Sequence, residues 1–244
     1  MKKYIVELIG TFFLVLTVLS SAVLNSALLT PLAIGSVLMV MIYAGGHISG
    51  GHYNPAVTVG VLIRGGIRAA DAGAYVLAQL AGAVLAVFAA KVLYAANFQA
   101  LGLANAALAP ASPGAAATPG AAPVILAEFL FTFALVYVVL NVATAKDNGK
   151  RGFYGLAIGF TVLSGAVAVG GVSGGAFNPA VATGVSTLNH IAGAAPSPLS
   201  FATIWQHLAG EFLAAIAAGL LFNFLNADQL GDERKAAWET GDRG

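Results

Sequence analysis

Long apolar runs, broken by short polar or glycine-rich stretches, fill the chain from residue 4 to residue 225. Six of them approach or exceed the roughly 20 residues that a helix needs to cross a hydrocarbon core: 4–24, 31–46, 71–95, 123–144, 153–169 and 201–225. The second and fifth are short and can extend into their glycine-rich flanks. Two further apolar segments, after Asn54 and after Asn178, run for only about ten residues, or about 15 Å of helix. They are expected to enter the membrane without crossing it. The pattern predicts an all-α membrane protein of six transmembrane helices and two re-entrant half-helices.

Composition agrees with that pattern. Of 244 residues, 11 are Lys or Arg and 10 are Asp or Glu, so 9% are charged and 59% hydrophobic. Mean hydropathy is +0.86. A soluble domain carries about 25% charged residues, which makes a soluble enzyme a poor match, and a net charge of +1 does not suit a nucleic-acid binder. Cysteine is absent, excluding disulfides and thiolate chemistry. Lys2 and Lys3 before the first run resemble the start of a signal peptide. The run is too long for one, contains Glu7 and lacks a small-residue cleavage site, so it is read as a retained first span. With the N-terminus inside, ten of the eleven basic residues lie on the cytoplasmic side: Lys2, Lys3, Arg64, Arg68, Lys146, Lys150, Arg151, Arg234, Lys235 and Arg243. Only Lys91 disagrees. Positive residues concentrate inside, so both termini are expected in the cytoplasm. Residues 96–122 form an Ala/Pro/Gly-rich outer loop expected to be irregular, and 227–244 a charged tail.

The chain also repeats itself. The segment around Glu7 resembles that around Glu128, 121 positions on, and Ser49-Gly50-Gly51-His52-Tyr53-Asn54-Pro55-Ala56 resembles Ser173-Gly174-Gly175-Ala176-Phe177-Asn178-Pro179-Ala180, 124 positions on. A third match pairs Gln79-Leu80-Ala81-Gly82 with His207-Leu208-Ala209-Gly210 at an offset of 128. Repeat one covers about 4–95 and repeat two about 123–225, within a channel domain of 1–226. Each repeat holds three spans, an odd number, so the second is inverted. Inverted repeats place a pathway at their interface, with broken helices pointing at it.

The two Asn-Pro-Ala boxes are Asn54, Pro55, Ala56 and Asn178, Pro179, Ala180. Asn is a favoured N-cap and Pro suits the first helical position. Each box therefore starts a half-helix, and inversion brings the two N-termini together. Irregular backbone at membrane depth must be buried in protein or face water. The carbonyls of Gly50, Gly51, His52, Gly174, Gly175 and Ala176 are expected to line a narrow file, with Asn54 and Asn178 offering amide donors. Two positive helix ends at the centre disfavour cations.

These motifs resemble the major intrinsic protein family, the aquaporins and glycerol facilitators. The resemblance extends from Glu7 to about Leu225, and 46–58 follow the bacterial aquaporin pattern closely. It implies a right-handed six-helix bundle, a homotetramer with one pore per subunit, contact with membrane lipid, no catalytic residue, no cofactor and no metal. The permeant would be water or another small neutral solute, in an inner (plasma) membrane if the chain is bacterial. Carried over by motif, the outer constriction is Ile34, Ala166, Gly175 and Val181. The family usually has Arg at the position of Val181, and glycerol facilitators usually have Asp where Ala182 stands. A constriction without that cation should be wider and more apolar, passing water and larger solutes. A glycerol, urea, ammonia or gas pore of the same family is one alternative; an ion-coupled inverted-repeat transporter using Glu7 and Glu128 is another. Intramembrane carboxylates are functional candidates, whereas the resemblance makes these two scaffolds for the re-entrant loops. Glu211 has no partner in the repeat match. His52 is expected on the pore by its carbonyl, His47 in packing, and His190 and His207 near the outer interface.

Overall fold

Each apolar run becomes a helix in the computed structural model, which describes residues 1–22, 29–106, 120–145, 152–194 and 197–229. The spans are α1 (Lys2–Ser21), α2 (Leu29–Ser49), α4 (Ala69–Leu93), α6 (Ala121–Val139), α7 (Tyr154–Ser173) and α9 (Ile204–Leu225), with half-helices α3 (Pro55–Arg64) and α8 (Pro179–Ala192). A π-helical turn, Leu140–Thr144, continues α6. All six spans are long and apolar enough to cross a membrane. Large apolar side chains such as Phe13, Leu77, Phe88, Leu126 and Phe224 stand exposed on the outside, as a lipid solvent requires. Among the described residues there is no strand.

The packing follows the repeat. In the first repeat α1 lies against α2 and α4; in the second α6 lies against α7 and α9. The repeats join where α2 meets α7, and each half-helix reaches across, α3 onto α9 and α8 onto α4. Small residues make these crossings possible, as they do between membrane helices generally. A Cβ on Gly35 would lie 2.7 Å from the Gly159 carbonyl oxygen, and a Cβ on Gly159 would collide with the Gly35 carbonyl. Gly82 and Gly210 allow the same close approach of α4 to α1 and of α9 to α6.

Caps set the half-helix limits. Asn54 Oδ1 accepts from the N–H groups of Ala56 (2.8 Å) and Val57 (3.3 Å), and Asn178 Oδ1 from that of Ala180 (2.9 Å). Gly65 (φ 88°) and Gly193 (φ 66°) close the other ends in the left-handed conformation, where glycine carries no Cβ penalty. α3 has the expected 10 residues. α8 has 14, longer than expected, because Asn189 near its end is held by its amide donating to the Leu199 carbonyl at 2.9 Å.

The central loop also departs from expectation, since part of it is helical. α5 (Phe98–Ala106) packs on α8, burying Leu101 and bringing Gly102 against Ala192. One buried Leu and one close-packed Gly suffice to order a stretch that looked irregular by composition. Residues 107–119 lie outside the described part, as do Lys146, Lys150, Arg151 and the tail beyond Gln229.

Lys2, Lys3, Arg64 and Arg68 gather at one end of the bundle. There Asp71 accepts from Tyr4 Oη (2.7 Å) and pairs with Lys3 (2.8 Å) and Arg68 (3.1 Å). Arg64 Nε donates to Thr144 Oγ1 at 3.2 Å, tying α3 to the end of the α6 segment.

Gly159→Leu should force α2 and α7 apart at the repeat junction. Overpacking of this kind costs about 1–3 kcal/mol, read as a lower unfolding midpoint of the purified protein in detergent.

Candidate functional site

The two Ser-Gly-Gly segments adopt one conformation, related by the repeat. Gly50 and Gly174 have φ of 91° and 93°, Gly51 and Gly175 both 64°, and Tyr53 and Phe177 both 47°. A non-glycine residue at positive φ is uncommon and must be held by its surroundings. The hold is reciprocal. Asn54 Nδ2 donates to the Phe177 carbonyl at 2.8 Å, and Asn178 Nδ2 to the Tyr53 carbonyl at 2.9 Å. Each strained residue offers its carbonyl to the other repeat's Asn, so the boxes lock N-terminus to N-terminus.

Buried carboxyls hold the loops from behind. In the first repeat Glu7 accepts four hydrogen bonds: from Ser49 Oγ (2.7 Å) and His52 N (2.9 Å) on one oxygen, and from Tyr53 N (2.7 Å) and Gln79 Nε2 (2.8 Å) on the other. In the second, Glu128 accepts from Ala176 N (3.1 Å) and Phe177 N (2.7 Å). Glu211, from α9, accepts from Asn178 N at 2.7 Å. All three carboxyls are fully buried. None lines the cavity described next, so the geometry fits anchors better than ion-binding sites. Among the described residues no three His, Asp or Glu side chains converge as a metal site would require.

A cavity of about 390 Å³ lies between the loops. The structure brings Asn54, Asn178, Gly51, His52, Gly174, Gly175 and Ala176 to its wall, with Ile34, Ala166 and Val181. Gly50 is not on the wall. It ends α2, donating its N–H to the Gly46 carbonyl at 2.9 Å; Gly174 ends α7 by the same bond at 2.8 Å and does reach the wall, so the two loops are not equivalent there. Most of the remaining wall is aliphatic, including Leu14, Leu38, Val57, Leu135, Val162 and Val185. No lining residue carries a formal charge at neutral pH with His52 neutral. The His52 ring is held by Thr58 Oγ1 (3.1 Å) and an edge contact to Tyr75. Of the central loop, Ala104 of α5 reaches the wall and brings a methyl group, not a donor.

A family model described as Major intrinsic protein matches residues 1–222. The chain belongs to the major intrinsic protein family. It is an integral membrane protein and a passive channel for water and small uncharged solutes. It is 38% identical over 201 residues to a glycerol uptake facilitator protein-like 6 of Lactiplantibacillus plantarum, covering 78% of this chain and 88% of the relative. It is 31% identical over 232 residues to aquaporin NIP1-1 of Zea mays, covering 92% and 74%. The X-ray structure of the aquaglyceroporin from Plasmodium falciparum superposes with a TM-score of 0.73 at 20% identity, covering 93% of this chain and 98% of that one, a likeness of fold.

Two residues of this major intrinsic protein were undervalued in the sequence. His207, expected near the outer interface, is buried, and its Nε2 lies 2.8 Å from the Ser173 carbonyl. Glu211, left without a partner, caps Asn178. Their counterparts are Tyr75, whose hydroxyl donates to the Ser49 carbonyl at 2.7 Å, and Gln79. In space, therefore, the third and sixth spans match as Tyr75 with His207 and Gln79 with Glu211, an offset of 132. The match at 128, read from small residues, is one helical turn out. A polar pair spaced i, i+4 in both spans was the available signal. His47, expected in packing, is exposed on this chain's surface.

Glu7→Gln sets an amide NH₂ against two of the four donors. Each buried donor left unpaired costs about 1–3 kcal/mol. The variant should unfold at lower temperature and lose water permeability in proteoliposomes, while Glu7→Asp should retain part of both.

Proposed function

We propose that this channel conducts water in single file past Asn54 and Asn178, and also admits uncharged solutes larger than water, of glycerol or urea size. The carrying observation is Val181, which is 5% exposed and sits on the cavity wall at the position where the family usually has Arg. Pore diameter, lining donors and fixed charge set channel selectivity. Ile34, Ala166 and Val181 offer hydrocarbon at this constriction, and Gly175 adds no side chain. A solute with a carbon skeleton loses less on passing such a ring than water does. The glycerol facilitator-like relative supports the same direction. Charged solutes are rejected on other grounds. The N-termini of α3 and α8 meet at the centre and present positive dipole ends to a cation, and the aliphatic walls offer an ion nothing in exchange for its hydration.

The basic cluster of Lys2, Lys3, Arg64 and Arg68 supports a cytoplasmic N-terminus. By the same charge rule the C-terminus is cytoplasmic, and if the chain is bacterial the membrane is the inner one. The exposed apolar outer surface and the family resemblance support a homotetramer in lipid, with one pore per subunit. Glu7 and Glu128 are spent on backbone N–H groups, which favours a scaffold over ion coupling and a channel over a coupled transporter.

The test is stopped-flow light scattering on proteoliposomes, comparing osmotic shrinkage with glycerol and urea uptake. Wild type should show both fast shrinkage and solute uptake, without proton leak. Val181→Arg should cut solute uptake several-fold while water flux persists. Exclusion of glycerol and urea by the wild type would overturn the proposal.

A further inference from the structure

The two loop anchors differ in the charge type of one supporting side chain, which the repeat does not explain. In the first, the span after the half-helix supplies a neutral donor, Gln79 Nε2, to the anchoring carboxyl Glu7. In the second, the matching position is Glu211, itself a carboxyl, which binds the N–H of Asn178 next to the N–H of Phe177 that Glu128 binds. Glu211 Oε1 is occupied by the Asn178 N–H. Glu211 Oε2 is buried and has no donor. Two ionised carboxyls cannot share so small a buried site without a cation between them.

Among the described residues no Lys or Arg side chain is bonded to either carboxyl. α6 contributes Glu128. α9 itself contributes His207, whose Nε2 bonds the Ser173 carbonyl and so carries the hydrogen; its Nδ1 has no hydrogen-bond partner, and Nε2 lies 3.8 Å from Glu128 Oε1. Of the other elements packed on α9, α3 offers only Arg64, committed to Thr144, and α8 only His190, set edge-on to Phe201.

We propose, building on the channel assignment above, that Glu211 is a positioning residue for the second Asn-Pro-Ala box and works as a neutral carboxylic acid. Oε1 accepts from Asn178 N–H, and protonated Oε2 donates to Glu128, as Gln79 donates to Glu7. A single trapped proton thus completes the mount of the half of the pore that carries Val181. Glu128 remains the acceptor for Ala176 and Phe177.

The proposal predicts unequal responses to the same isosteric change. Glu211→Gln keeps an acceptor for Asn178 and a donor for Glu128, so water permeability should stay close to wild type. Glu211→Ala should lose it several-fold, and so should Glu128→Gln, which turns an acceptor into a donor facing backbone N–H groups. Infrared spectroscopy of the reconstituted full chain reads the proton itself. A protonated-carboxyl C=O band, shifted in D₂O, should be present in the wild type and missing in Glu211→Gln. Absence of the band from the wild type, its survival in Glu211→Gln, or a flux loss in Glu211→Gln as deep as in Glu211→Ala would each overturn the proposal. The infrared result does not depend on which solute permeates, so it can fail or hold separately from the selectivity proposed for Val181. It also holds if Glu211→Ala does not fold.

Discussion

Backbone that is neither helix nor strand must find hydrogen-bond partners before it can sit inside a membrane. That constraint organises this protein. The segments 50–54 and 174–178 are irregular, and the N–H groups of His52, Tyr53, Ala176, Phe177 and Asn178 end on Glu7, Glu128 and Glu211. With those N–H groups bound from behind, Gly51, His52 and Gly174 to Ala176 stand on the cavity wall. The cavity wall and its scaffold are two sides of the same loops.

The rest of the bundle serves that arrangement. A left-handed or otherwise strained backbone persists only where its surroundings over-determine it. Tyr53 and Phe177 are held on one side by the carboxyls and on the other by the opposite Asn. The crossed Asn bonds require the half-helices to meet end to end, which requires α3 to lie on α9 and α8 on α4. Such close packing needs glycine at the crossings. On the function proposed above, selectivity is a separate layer. Changing the side chain at 181 leaves the hydrogen-bonded frame untouched, so a family with one scaffold can vary what it passes.

The two halves do not achieve the same frame by the same residues. Ser49, Tyr75 and Gln79 support the first loop with neutral donors; His207 and a second carboxyl support the other. An inverted repeat preserves backbone geometry to within a few degrees of φ while its supporting side chains diverge. The frame is set by what each peptide group needs, and more than one side chain can supply it.

Much of this was legible in the chain alone. Apolar run length names the spans, because hydrocarbon thickness sets helix length. Three spans per repeat dictate inversion. Asn-Pro announces a capped helix start, because capping and the missing proline N–H are local effects. Contacts between distant elements were not legible in the same way. Composition concealed α5, since one buried Leu and a glycine against Ala192 order it. Gly50 lies off the cavity wall although Gly174, which ends α7 in the same way, lies on it. The partner of Glu211 was hidden because the small residues of α4 and α9 match one turn away from the polar ones. Local pattern determined the elements and their caps. Only the tertiary structure decided which buried donors and acceptors meet, since that depends on helix register across the bundle, which no single segment encodes.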